Sequence, residues 1–188
     1  MTRKLIAIGA AAAAAALLQG CFPLAATGIG AGALVATDRR TTGIYIEDES
    51  IELKSLRALM RFQNAHVNAT SYNRRVLLTG ETPSDEAKKQ IEDTIRGIDN
   101  VKDVVNEMQV AGASSYAARG ADSLVTSNVK ARMVNNGKFS PMHVKVVTEA
   151  GVVYLMGIVD KQEAEAAVDV ARTTSGVSRV VKVFEYAQ

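Results

Sequence analysis

Along the second half of the chain, apolar residues change their spacing in a fixed order. Val125, Val129 and Met133 recur every four residues and predict the buried stripe of a helix. Val144, Val146 and Thr148 then alternate, Gly151 supplies a residue tolerant of positive φ for a tight hairpin, and Val152 to Val159 runs back as a partner strand. Asp160 with Glu163 makes a capping-box-like start to a second helix. Ala164, Ala167, Val168 and Ala171 face the sheet, Gly176 stops the helix, and Val177 to Tyr186 closes the unit as a third strand. The order is helix, strand, strand, helix, strand.

The same order occurs earlier. Val67 to Val105 lies over Val144 to Val181, with Val76 on Val153, Leu78 on Leu155, Gly80 on Gly157, Ala87 on Ala164 and Ile91 on Val168. Ser84 precedes an acidic first turn of Asp85 and Glu86, and Ala87, Ile91, Ile95 and Ile98 form the stripe. Arg74 stands where the second copy has its hairpin glycine. The pattern predicts an α+β fold of two tandem units, each a small three-stranded sheet with two helices on one face. The boundaries are 44–110 and 122–188, with 111–121 (AGASSYAARGA) as a small-residue linker.

The N-terminal 43 residues show no lasting period. Arg3 and Lys4, an apolar run and then LLQGC at Leu17 to Cys21 make a lipoprotein signal over 1–20, with Cys21 as the acylated first residue of the mature chain. An N-acyl chain and an S-diacylglycerol on Cys21 bury enough CH₂ groups, at about 0.8 kcal/mol each, for lasting retention at a bilayer. A buried free thiol and an uncleaved membrane span are the competing readings. The span is opposed by the Ala and Gly content and by Gln19, Gly20 and Pro23. Residues 21–43 read as a flexible tether, and from Cys21 to Asp48 it would reach roughly 90 Å extended and about 30 Å as a coil. GIGAGA at Gly28 to Ala33 loosely fits a dinucleotide fingerprint, but no strand precedes it and no helical pattern follows.

Charge narrows the partners. The chain carries 22 basic and 20 acidic residues, and loss of Arg3 and Lys4 leaves the mature form near neutral, which gives no bulk attraction to nucleic acid. No HExxH, GxSxG or phosphate-binding loop is present, so no enzyme class is indicated and no cofactor is expected beyond the acyl groups on Cys21. His66 and His143 sit at equivalent places before the first strand of each copy, and one histidine per unit does not make a metal site.

The first helix of the second copy holds the most informative surface. Opposite Val125, Val129 and Met133 lies another arc with Leu124, Ser127, Ala131 and Val134, and Lys130 lies at its edge. A helix on a sheet needs one apolar stripe. The second either docks on lipid, with Lys130, Arg132 and Lys138 near the headgroups, or buries against the first copy or the linker. The equivalent first-copy helix, around Ile51 to Met60, carries Glu52, Lys54, Arg57 and Arg61 and reads as a solvated face.

The VxV of Val144 and Val146, the GVVYLMG of Gly151 to Gly157, Ala164, Ala171 and the GVxxV of Gly176 to Val180 resemble the BON domain of bacterial envelope proteins. With LLQGC, the DRRTTG of Asp38 to Gly43 and the duplication, the whole chain is similar to the dual-BON lipoproteins known as the division and outer-membrane stress-associated lipid-binding family. The resemblance implies a lipid-anchored protein on the periplasmic face of the outer membrane. Phe22 rather than Asp after Cys21 agrees with outer-membrane sorting in such proteins. It further implies that the second BON domain binds anionic phospholipid through the helix of Leu124, where similar proteins carry an aromatic residue. It implies a role in envelope integrity and gathering at division sites. An alternative reading is an adaptor that uses the same helix or exposed sheet faces to bind the outer-membrane protein assembly machinery.

Overall fold

The structure, a computed structural model, describes residues 38–187. The signal, Cys21 and the run Phe22 to Ala36 lie outside the described residues. The described residues fall within one compact unit. The first copy comprises α1 (Thr42–Leu59), β1 (His66–Tyr72), β2 (Arg75–Thr82), α2 (Asp85–Arg96), β3 (Asp103–Asn106) and β4 (Gln109–Val110). The second comprises α3 (Tyr116–Val134), a 3-10 turn (Pro141–His143), β5 (Val144–Glu149), β6 (Val152–Val159), α4 (Lys161–Arg172) and β7 (Arg179–Tyr186).

In each copy a hairpin gives two antiparallel strands, and the strand after the second helix returns parallel to the middle one, with Val76 beside Val104 and Val153 beside Val180. The third strand of the first copy is broken. β3 and β4 both pair with β2, and between them Met108 turns fully inward while its amide donates to Asn106 Oδ1.

Both middle strands are apolar on both faces, and alternation sends each face into a different core. Val76 and Leu78 pack beneath Ile51, Ile91 and Ile95, as Val153 and Leu155 pack beneath Val125, Val129 and Ala167. Leu77, Tyr72, Tyr154, Met156 and Val183 form a third cluster, in which the two sheets meet back to back. The described residues are therefore stacked in four layers, with a helical pair outside each sheet. Polar contacts close the rim of this seam. Lys145 Nζ bonds Glu52 (2.7 Å) and the Ser71 carbonyl (3.2 Å), and the side-chain amides of Asn73 and Asn68 donate to Glu185 (2.9 Å) and Glu149 (3.1 Å). Sheet faces expected to be free for a partner are covered by the other copy.

One pair of carboxylates sets both hairpins. Asp48 of α1, buried, accepts from the amides of Asn73 (2.8 Å) and Arg74 (2.7 Å), the Ser71 hydroxyl (2.7 Å) and Arg40 Nη1 (2.9 Å). Asp122 of α3 accepts from Ala150 (2.9 Å) and Gly151 (2.8 Å). These four turn residues all have positive φ, and two amides aimed at one carboxylate stabilise that geometry, so Arg74 replaces the expected glycine without loss of the turn. Gly80, itself at positive φ, and Gly157 answer to space. A Cβ there would lie 2.0 Å and 2.3 Å from the carbonyl oxygens of His66 and His143.

The tether read over 21–43 ends earlier than its composition suggests. Asp38 accepts the Arg40 amide at 2.8 Å, and α1 begins at Thr42 with the Thr41 hydroxyl as its cap. Arg40 pairs with Asp38 and Asp48 and lies over the rings of Tyr72 (4.1 Å) and Tyr45 (5.0 Å). Arg39 reaches the second copy, where it meets Glu163 and the Ile158 carbonyl. The segment read as a linker over 111–121 also differs. Ser115 caps a helix that starts at Tyr116, so α3 takes in half of that stretch.

Candidate functional site

Because the sheets face each other, the described residues turn the outer surfaces of their helices away from the seam. On α3, Val125, Val129 and Met133 are buried against the sheet. The opposite arc is open, with Leu124 68% and Val134 65% exposed, and Ser127, Lys130 and Ala131 are exposed beside them. Burial against the first copy, the competing reading of this stripe, does not occur among the described residues. The early helix start adds Tyr116, 88% exposed. At 100° per residue Tyr116, Gly120, Leu124, Ser127, Ala131 and Val134 fall within an arc of about 80°, an apolar ribbon along the whole helix. Tyr116 escaped notice because it stood in the presumed linker, although Ser115 before it is an ordinary helix cap.

The hydroxyls on this face turn inward. Ser127 Oγ donates to the Ser123 carbonyl at 2.9 Å, and Ser123 Oγ to the Arg119 carbonyl at 3.0 Å, which leaves the ribbon less polar than its sequence. Lys130 is exposed at one edge of the ribbon, and Arg119 lies on the same side with its guanidinium 5.2 Å from the Tyr116 ring centroid. Arg132 is committed elsewhere. It donates to the Val170 carbonyl (3.1 Å) and to the hydroxyls of Thr174 (2.7 Å) and Thr173 (3.0 Å), and so closes the end of α4. Among the described residues no helix is long and apolar enough to cross a membrane.

Neither histidine stands apart from acidic groups. His143 Nδ1 lies 3.2 Å from Glu163, the same carboxylate that holds Arg39 and the Asp160 amide. Burial opposes ionisation of Glu163, but the hydrogen bonds from Asp160, Arg39 and His143 hold its carboxyl below the usual range. His66 Nδ1 lies 3.1 Å from Glu81, and Glu149 of the second copy completes a group whose ligand-type atoms lie within 4.8 Å of one another. Sequence reasoning counted one histidine per copy and missed this meeting, which depends on how the sheets stack. Each carboxylate there already has a protein donor, Ser114 N for Glu81 and Asn68 for Glu149. Burial raises the Glu149 carboxyl, the Asn68 bond opposes this, and the nearby Glu81 carboxylate adds to the rise. The bond from Asn68 to Glu149 joins the two copies at this group.

The described residues thus form two sheet-and-helix units of one topology, paired back to back with their helices outward. The BON domain profile matches residues 48–112 and again 121–188, and the chain belongs to the BON-domain family. It is 40% identical over 173 residues, 90% of each chain, to the outer membrane lipoprotein DolP of Haemophilus influenzae. It is 31% identical over 155 residues to the 21 kDa hemolysin of Actinobacillus pleuropneumoniae, 80% of each chain. Over 156 residues it is 28% identical to the osmotically-inducible protein Y of Escherichia coli, covering 80% of this chain and 78% of that one.

Proposed function

We propose that this protein is a non-enzymatic outer-membrane lipoprotein, held on the periplasmic face by acyl chains on Cys21, whose second BON domain docks on anionic phospholipid. The observation that carries the reading is the ribbon of α3, left uncovered by both copies, with Tyr116, Leu124 and Val134 exposed along it and Lys130 at its edge. Apolar side chains enter the acyl boundary while lysine meets phosphate, at about 1 kcal/mol per cation near an anionic surface. Tyr116 suits the headgroup level, where an amphipathic ring satisfies both phases. The acyl chains supply retention, and α3 supplies preference among lipids. Likeness to an outer membrane lipoprotein over 90% of the chain supports the location. A role in envelope integrity, and enrichment where anionic lipid gathers at division, follows from the same preference.

The test is flotation of the body lacking residues 1–21 with vesicles. It floats with phosphatidylglycerol, not with phosphatidylcholine, and Leu124→Glu abolishes flotation while leaving the melting curve unchanged. A Leu124→Glu body that still floats contradicts the reading. An adaptor for the outer-membrane protein assembly machinery would have to use a helical surface, since the sheets are spent on each other.

A further inference from the structure

The helix read as a solvated face also carries an apolar line. On the outer side of α1 and at its cap, Ile46 is 63% exposed, Leu53 49%, Leu56 59% and Met60 72%. Their spacing of seven, three and four residues is that of the core seam of a coiled coil. Glu49 and Arg57 are exposed on the same side, and neither takes part in an ion pair among the described residues. The buried positions Asp48, Ile51 and Ser55 lie on the opposite side, so nothing in the fold accounts for this line.

The order of these residues names the occupant. Charge along the exposed side changes sign, with Glu49 before Leu53 and Arg57 after it. We infer that α1 pairs with α1 of a second copy, antiparallel, about a two-fold axis at Leu53. That axis sets Leu53 against the partner's Leu53, Ile46 against the partner's Met60, and Glu49 against the partner's Arg57. Each off-axis contact is made twice and Leu53 meets its own copy on the axis, as a two-fold interface requires. Parallel pairing would put Glu49 against the partner's Glu49 and is disfavoured by like-charge repulsion. A bilayer is a poorer occupant, because Glu49 sits within the line and would have to enter the apolar layer. Pairing through α1 leaves α3 uncovered in both copies, so it stands or falls separately from lipid docking.

Disulfide trapping in membranes from cells making the full chain tests the register. The parent, whose one cysteine is Cys21, sets the background. Leu53→Cys gives an oxidised dimer on its own. Ile46→Cys and Met60→Cys give one efficiently only when the two variants are made together. In the Leu53→Cys chain, Glu49→Arg or Arg57→Glu lowers the dimer yield several-fold, and the two changes combined restore it. The inference is overturned if Leu53→Cys gives no dimer above background, if Leu124→Cys crosslinks as well as Leu53→Cys, if Ile46→Cys alone matches the mixed pair, or if the combined charge swap fails to restore the yield.

Discussion

At the residue scale, single carboxylates hold this fold in its particular form. Asp48 receives four hydrogen bonds from three segments, the entry strap, β1 and its turn, and it stands in a buried site. Replacing it with Ala leaves Arg40 and two turn amides without their acceptor, and costs about 3–5 kcal/mol, read as a lowered denaturant midpoint. Asp122→Ala, with two amides at stake, costs about half as much. This device was only half legible in the sequence. The glycine of the second hairpin marks a turn, but Asn73-Arg74 becomes intelligible once the carboxylate 25 residues upstream is in place. Glu149 gives a pH signature. Its folded-state pKa is raised, so the folded body binds a proton more readily than the unfolded chain, and its contribution to stability declines as pH rises through the range above the ordinary glutamate value. Glu163 acts in the opposite sense, stabilising at neutral pH and losing that contribution as pH falls below the ordinary value. Glu149→Gln therefore raises the melting temperature at pH 7, and the gain vanishes near pH 4 and below.

At the scale of elements, the periods of the core faces were readable and the helix starts were not. Val125, Val129 and Met133 are buried as their spacing of four predicts, and both second helices begin at their caps, Ser84 and Asp160. The start of α3 was lost among Ala and Gly because composition was weighed above the Ser115 cap. Recovering those residues adds Tyr116 to the exposed ribbon. Tyr116→Ala weakens vesicle binding by about 1 kcal/mol, roughly five-fold in affinity, in a sedimentation titration. In the sheet, Gly157→Ala pushes a methyl against the His143 carbonyl and destabilises by about 3 kcal/mol, seen as a fall in melting temperature. The outer line of α1 was hidden because charged residues along this helix drew attention away from Ile46, Leu53 and Leu56, which do not belong to the core stripe.

At the scale of the whole molecule, duplication was legible from sequence and the way the copies join was not. The clue lay in Val152 to Val159, apolar at nearly every position, since a strand with one solvated face would alternate. Tyr154, Met156 and Val183 needed a cover, and the sheet of the first copy provides it with Tyr72 and Leu77. Joining the sheets this way turns the four long helices of the described residues outward and leaves one face of α3 uncovered. Under the proposed function that face meets an anionic bilayer. Paramagnetic broadening of amide signals by phosphatidylglycerol micelles carrying a spin-labelled lipid tests it most directly. Broadening is expected along Tyr116, Leu124, Ala131 and Val134, and is weaker with zwitterionic lipid. Broadening that spares α3 and falls on α1 or on the β7 edge would contradict it.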